Sequence, residues 1–504
     1  FLLSNAPRVS GFGPKKVPIM TELLNQTPQI PSFSAAPLPP VAPAQDFITE
    51  ARELLRLAGP VVITQLAQMG IGTIDVLLLG AYSKDALAAS ALGLSLYYAM
   101  WVLAMGPAIA VQPMIAHILG SRAVGQRADL RGVRLTVRMS LWAILVLIPF
   151  QIAFLWYAGD MLKAIGQPVA LAEDAGHFVR MLAIGFVFTT AFNVLRGYAT
   201  ALSRPNAPLI VMGLTIVFNA IVAYVLIFGH FGAPRMGLTG AGIASSLSFA
   251  FSFAVMIAVI VLTPELARYR IFRRFFQIDW KTLKEIIRLG MPISMTIIFE
   301  AMFFNAGTMI MGYFGTDSVA AHQIALNVVA LLFMVPLGIA TAATVRIGLA
   351  AGANDMPRVR RAGGAAMSIS LTFMGLCGIV LAIFAPRIIG LYLDASKPEN
   401  VPVIEQAVLF LRIGAAFQLF DTGQVVASLS LRGLKDANAP MWIAGASYWI
   451  VGFPLALLLA FHFNMAGAGV WVAFVMSLAV ATLFMSVRFI HLAEVDWRAP
   501  FRWN

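Results

Sequence analysis

The sequence predicts an all-α integral membrane protein, with twelve transmembrane helices in two pseudo-twofold-related six-helix lobes. Three observations carry that expectation. Of 504 residues, 60% are hydrophobic and only 12% are charged, about half the charged share of a soluble domain, and mean hydropathy is +0.84. Apolar runs of about 20 residues, enough to cross the hydrocarbon core, recur along nearly the whole chain. The second half of the chain repeats the first at a fixed displacement.

Taken in order, residues 1–45 are rich in proline (Pro28, Pro31, Pro37, Pro39, Pro40 and Pro43) and lack periodicity, which reads as a disordered cytoplasmic tail. They also lack the uninterrupted apolar core of a signal peptide. The chain opens on Phe1 and its first methionine is Met20, so residues 1–19 are set aside as candidate non-native sequence. An N-lobe over 46–263 holds spans at about 54–80, 86–115, 134–158, 176–200, 206–229 and 238–263. A basic inter-lobe loop, 264–285, leads to a C-lobe over 286–490, with spans at about 286–313, 318–348, 364–393, 405–430, 438–461 and 466–490. Residues 491–504 form a second cytoplasmic tail. Spans longer than about 20 residues are accommodated by tilt or kinks. Pro60, Pro107, Pro113 and Pro336 interrupt helical hydrogen bonding.

The formal net charge of +12 invites a nucleic-acid partner, but the basic residues sit between apolar segments, where they orient a membrane protein. Of 35 Lys and Arg, only Lys84, Lys163, Arg180, Arg235, Arg387, Lys397 and Arg412 fall on the side opposite the termini. Positive residues stay inside, so both termini are expected in the cytoplasm and the protein in the inner membrane. The densest cluster, Arg268, Arg270, Arg273, Arg274, Lys281, Lys284 and Arg288, lies between the lobes. It reads first as a topology signal, with a specific lipid or regulatory site as the other reading. The single cysteine, Cys377, excludes an intrachain disulfide and a multi-cysteine metal site.

A displacement of 232 positions, from Glu53 to Glu285, brings the halves into register. Arg56 and Pro60 fall on Arg288 and Pro292, Gly80 and Asp85 on Gly312 and Asp317, Gly106 and Gly120 on Gly338 and Gly352. Glu173 and Arg180 match Glu405 and Arg412; Asn206 and Pro208 match Asn438 and Pro440. Chance apolar similarity would not hold charges and prolines in one register. Six spans per repeat is an even number, so both lobes share one orientation and enclose a cleft that rocking would expose alternately.

Of 23 Asp and Glu, three fall within spans: Asp75 in span 1, Glu300 in span 7 and Asp421 in span 10. A mid-bilayer carboxylate costs roughly 3 kcal/mol unless paired, hydrated or protonated. Burial disfavours its charged form, so it can hold a proton or exchange it for Na⁺. With no Arg or Lys in the central part of a span, ion pairing of these acids is not expected. His322, Gln323 and Asn327 in span 8 and Asn219 in span 5 are weaker candidates, explained as well by helix-to-helix hydrogen bonds. Phe303 and Phe304 beside Glu300, and Phe417 and Phe420 beside Asp421, either line an aromatic cavity or pack. No GxxxxGK(S/T) sequence is present, which excludes P-loop ATP coupling within this chain and leaves an ion gradient.

From about Asp46 onward the chain resembles the multidrug and toxic compound extrusion family, in its NorM branch. The resemblance rests on Ala67-Gln68-Met69-Gly70 through Asp75, Arg288-Leu289-Gly290-Met291-Pro292 leading to Phe299-Glu300, and Ala320-Ala321-His322-Gln323-Ile324-Ala325-Leu326-Asn327. Asp421-Thr422-Gly423-Gln424 and Leu431-Arg432-Gly433-Leu434-Lys435-Asp436 complete it. The resemblance implies export of amphipathic, mostly cationic aromatic drugs and dyes in exchange for Na⁺ or H⁺. It implies a coupling-ion site at Glu300 and Asp421, a proton or substrate role for Asp75 with Asn219, and helix bending at Pro60. Two departures stand out: Phe417 occupies a position where the branch often has Tyr, and Ala223 one where some relatives have a second acid.

The expected mechanism is antiport by lobe rocking, with Gln68, Phe303, Phe304, His322, Gln323, Asn327 and Phe417 as candidate cavity lining. No cofactor beyond the coupling ion is expected, no enzymatic activity, and no partners beyond small-molecule drugs and the lipid bilayer; two complete lobes make a monomer sufficient. The alternatives are a flippase for a lipid-linked precursor, which would favour a strongly cationic cavity, and a polytopic membrane transferase, which would need surface acid pairs or His clusters.

Overall fold

Among the described residues, eleven helices are each long and apolar enough to cross a membrane, and a bent pair, taken as one span, makes twelve. The computed structural model describes residues 46–121, 130–394 and 396–494, so the expected N-terminal tail and the end of the C-terminal one lie outside the described residues. In the N-lobe, α1 is Phe47–Tyr82, α2 Lys84–Ser121 and α3 Leu130–Trp156; α4 is the pair Val169–Ile184 and Phe186–Ala201, bent by 45° at Gly185; α5 is Asn206–Phe228 and α6 Gly237–Leu262. In the C-lobe, α7 is Trp280–Gly312, α8 Thr316–Gly352, α9 Met356–Ile389, α10 Val401–Gly433, α11 Asn438–His462 and α12 Ala466–Glu494. The described residues contain no strand, as a bilayer demands of an unclosed structure, since only helices satisfy their own backbone there.

Local chemistry sets several boundaries. The Asp279 carboxylate accepts from the Thr282 N–H at 2.8 Å and caps α7, so the helix starts inside the stretch expected as loop. Asp355 caps α9 in the same way through the Arg358 N–H at 3.0 Å. Gly229, at φ +79°, ends α5 in the left-handed conformation open to glycine. Pro60 lies inside a helix that continues unbroken to Tyr82. Its ring leaves the Arg56 carbonyl without a helical donor, yet no break follows. A sharp bend at a helix break falls at Gly185, whose N–H is taken by Ser246 Oγ at 3.1 Å. Two π-helical stretches, Ala446–Gly452 and Leu458–His462, widen α11, which no sequence feature signals.

Two hydrophobic cores correspond to the lobes. One joins α7–α12 around Phe303, Phe410, Trp471 and Phe474; the other joins α1–α6 around Phe186, Tyr198 and Tyr97. The first half of α1 crosses the boundary, with Leu54, Leu57 and Ala58 in the C-lobe core. Its repeat partner does the reverse: Ile286 and Leu289 of α7 pack against Met139 and Ala143 of α3.

The crossing contacts obey the 232-residue repeat. A Cβ on Gly106 would strike Gly290 and Ser294, and one on Gly338 would strike Val62, the repeat partner of Ser294. Gly120 sits against Leu349 and Gly352, while Gly352 sits against His117, the repeat partner of Leu349. The equivalent glycines therefore face each other where α2 and α8 cross, on the pseudo-twofold axis near the end that carries the termini. That end also holds most Arg and Lys and is called the basic end below. Inter-lobe hydrogen bonds cluster between mid-helix and this end: Gly106 N–H to Ser294 Oγ at 3.0 Å, Gln112 Nε2 to the Thr341 carbonyl at 2.8 Å, and His117 Nε2 with the Gly433 carbonyl at 2.8 Å.

Candidate functional site

A cavity of about 690 Å³ lies between the lobes, lined from α1, α2, α4, α5 and α6 on one side and α7, α8 and α10 on the other. This is within the range of small-molecule sites. The contacts just described close it toward the basic end. Toward the opposite end no hydrogen bond or ion pair joins the lobes among the described residues. Its wall carries aromatic and sulfur-bearing side chains on both lobes, Tyr97, Tyr98, Trp101 and Met105 on one and Phe304, Phe333 and Met334 on the other. Such rings and thioethers adapt to flat apolar ligands.

Asp75 lies on the N-lobe wall. Ser245 Oγ on α6 donates to its Oδ2 at 2.7 Å, and Oδ1 has no partner. Asn219 of α5 is fully buried beside it, with neither side-chain polar atom satisfied. The repeat explains the pairing: α1 packs along α5 within its lobe, as α7 packs along α11.

Glu300 lies on the C-lobe wall, whereas Asp421 is set behind it, 5% exposed, with Oδ1 unpartnered. The two carboxylates are within electrostatic reach of each other. Three buried oxygen atoms have no partner: Gln418 Oε1 and Thr422 Oγ1, close to Asp421 in sequence on α10, and the Tyr448 hydroxyl on α11. Tyr448 sits on the π-helical part of α11, stacked on Phe303 at 5.4 Å, within electrostatic reach of both acids. Carboxylate, amide and hydroxyl oxygens are the donor set of a hard monovalent cation, and the same acids suit a proton. The residues therefore fit either coupling ion.

Several expected positions fall elsewhere. Gln68 and Phe304 are on the cavity wall. Phe303 and Phe417 are not: they are 1% and 2% exposed and pack with Trp471 and Phe474 in the C-lobe core. His322 is also interior, its Nε2 within 3.2 Å of Thr308 Oγ1 and its ring against Trp471. Gln323 and Asn327 are exposed near the start of α8, where the Tyr392 hydroxyl donates to Asn327. The reason is helical phase: the cavity-facing stripe of α8 begins at Phe333, one to three turns further along.

No ion pair to Asp75, Glu300 or Asp421 is present among the described residues, yet two basic side chains enter the cavity. Arg196, five positions before the end of α4, reaches into the cavity and donates from Nη1 to Gln65 Oε1 at 2.8 Å and Gln68 Oε1 at 3.0 Å. Arg432, in the last turn of α10, lies on the opposite wall within electrostatic reach of Glu300. Both are long side chains near helix ends that extend along the helix to a polar environment, so position in a span does not fix where the charge sits. Ser245 and Tyr448 were equally missed: neither lies near an acid in sequence, and only packing brings them there.

A two-lobed membrane transporter with acids in the walls of its central cavity is the class that this fold and site define. The family match is to MatE, over residues 60–225 and 292–458, one segment per lobe. The chain belongs to that family. It is 42% identical over 450 residues to a probable multidrug resistance protein NorM of Mesorhizobium japonicum, covering 89% of this chain and 95% of the relative. A probable multidrug resistance protein NorM of Brucella suis is 37% identical over 91% of this chain and 97% of its own. Among solved structures, the eukaryotic MATE transporter AtDTX14 matches with a TM-score of 0.79 at 20% identity, covering 90% of this chain and 97% of that one.

Proposed function

We propose that this chain is an ion-coupled antiporter that exports amphipathic, mostly cationic aromatic drugs and dyes by alternating access of its two lobes. The observation that carries the reading is a cavity with an acid in each wall, Asp75 on one lobe and Glu300, with Asp421 behind it, on the other, and aromatic side chains on both. A cationic aromatic ligand finds ring faces and a carboxylate together there. The basic end faces the cytoplasm of the inner membrane, by the distribution of Arg and Lys, so the arrangement described opens outward.

In this reading drug leaves from the outward-open cavity. Na⁺ or H⁺ then reaches Glu300 and Asp421, or Asp75, and neutralises buried charge that opposes closure. Drug and ion need not share atoms; each need only favour the opposite state. One charge moving through 100 mV supplies about 2.3 kcal/mol, enough to bias such an equilibrium roughly fiftyfold.

Arg196 and Arg432 give the flippase reading a specific observation, since a lipid-linked phosphate would seek them. Against it, the two guanidiniums are matched on the same walls by Asp75 and Glu300. Ethidium efflux from proteoliposomes, driven separately by inward Na⁺ and inward H⁺ gradients, tests the proposal. Efflux with either gradient alone supports antiport and names the ion; efflux with neither overturns it in favour of the flippase.

A further inference from the structure

We propose that the inter-lobe loop, clamped onto the start of α3, is a binding site for the headgroups of anionic phospholipids. The loop is held by side chains that capture its carbonyls. Arg134 Nε donates to the Tyr269 carbonyl at 3.1 Å, Arg138 Nη1 to that of Arg274 at 2.7 Å, and Trp142 Nε1 to that of Phe275 at 2.8 Å. Tyr198 takes the Leu266 carbonyl at 2.7 Å. Arg270 and Arg274 adopt left-handed backbone, at φ +48° and +58°, a conformation that costs a non-glycine residue roughly 1 kcal/mol. A topology signal needs only positive charge on the correct side. It needs neither a strained turn nor side-chain clamps.

The clamps themselves are cationic, so they add to the charge they organise. The exposed side chains of Arg270, Arg273 and Arg274 project from the turn, with Lys281 and Lys284 exposed on the first turns of α7. None of these five has an ion pair among the described residues. The acids close to them in sequence are committed elsewhere. Glu265 pairs with Arg204 at 2.9 Å and Glu285 with Lys435 at 3.1 Å. Asp279 is held below the usual carboxylate range by the Thr282 N–H that it caps, with Arg131 and Arg138 adding to the effect. The local balance is therefore strongly positive, and the counter-charge must come from outside the chain.

What supplies it follows from the neighbours. Phe276 is 85% exposed and Trp280 73% exposed, interleaved with the basic residues. Aromatic rings of this kind settle at the headgroup level of a bilayer. A free anion offers nothing to them; a phospholipid offers phosphate to the guanidiniums and glycerol and acyl surface to the rings. The site is independent of the cavity, and it holds whichever ion drives transport.

The full-length protein, in mild detergent, is titrated with fluorescent phosphatidylglycerol and, separately, with phosphatidylcholine carrying the same label. Wild type is expected to bind phosphatidylglycerol at least tenfold more tightly, with the preference falling as salt is raised. The triple variant Arg270→Gln, Arg273→Gln, Arg274→Gln loses roughly fivefold per charge, about a hundredfold in all. The double variant Arg387→Gln, Arg412→Gln, at the opposite end, retains wild-type binding. Equal binding of the two lipids by wild type, or an unchanged phosphatidylglycerol affinity in the triple variant, overturns the proposal. Wild type alone decides the first of these, so a poorly folded variant does not leave the question open.

Discussion

At the scale of the residue, the C-lobe acids and Tyr448 make separable predictions. Glu300→Gln with Asp421→Asn is expected to abolish ion-driven dye efflux while leaving dye binding within a few-fold, measured by transport and by fluorescence titration in parallel. Tyr448→Phe has two effects of opposite sign. Its hydroxyl is fully buried without a partner, and such a group costs about 1–3 kcal/mol, so its removal raises the melting temperature of the ion-free protein. If Na⁺ is the coupling ion, the same change weakens Na⁺ activation of transport about 2–10-fold. The three acids were legible in the sequence because a carboxylate in an apolar run has no bland explanation. The hydroxyl was not: the sequence shows Phe417 where a tyrosine was sought, and Tyr448 reaches the acids from a different helix. Asp75 belongs to the same class of legible residues, and its Ser245 partner to the same class of hidden ones.

At the scale of the element, the basic end is latched by one buried ion cluster. Glu50 on α1 is fully buried and receives hydrogen bonds from Arg346 of α8, with Nη2 at 2.8 Å, while Arg358 of α9 stands 3.5 Å away. Removing one partner of a buried pair costs about 3–5 kcal/mol, because the remaining charge stays uncompensated. Glu50→Gln is therefore expected to destabilise the arrangement closed at the basic end. The expected readout is greater labelling of a cysteine placed at Thr341, in a background lacking Cys377, by a reagent supplied from the basic side. Unchanged labelling would assign Glu50 to folding alone. Helix positions were readable from apolar run length, with ends off by up to eight residues, and α7 overran its expectation because Asp279 caps it earlier. The latch was unreadable: Glu50 looks like an ordinary acid at a helix start, and its partners lie about 300 residues away in sequence.

At the scale of the molecule, the repeat was the most informative feature of the sequence, and its register survives in the contacts that join the lobes. Gly120→Ala and Gly352→Ala place a methyl against the backbone of the facing helix. Each is expected to push α2 and α8 apart and shift the population toward the arrangement open at the basic end, with similar magnitude because the two sites are related by the axis. Double electron–electron resonance between labels on the two lobes checks this as a longer distance at that end. A change in one variant only would show that the axis does not govern the motion. The polar groups break the symmetry: Asp75 and Glu300 belong to equivalent helices, yet the repeat register sets them seven positions apart, because Asp75 corresponds to Gly307.

The glycine crossing also bears on how much work the coupling ion must do. An interface built from large side chains would bury about 0.8 kcal/mol per methylene, and parting it would demand more than one or two ions deliver. Where α2 meets α8 the surfaces are bare backbone at Gly120 and Gly352, with no knobs to withdraw from holes. Such a joint behaves as a smooth bearing: it fixes where the lobes touch without holding them together. The grip comes from Glu50 and its arginines, from the Gln112–Thr341 and His117–Gly433 hydrogen bonds and from the apolar crossings of α1 and α7, so the work of the ion goes into parting these rather than the glycine crossing.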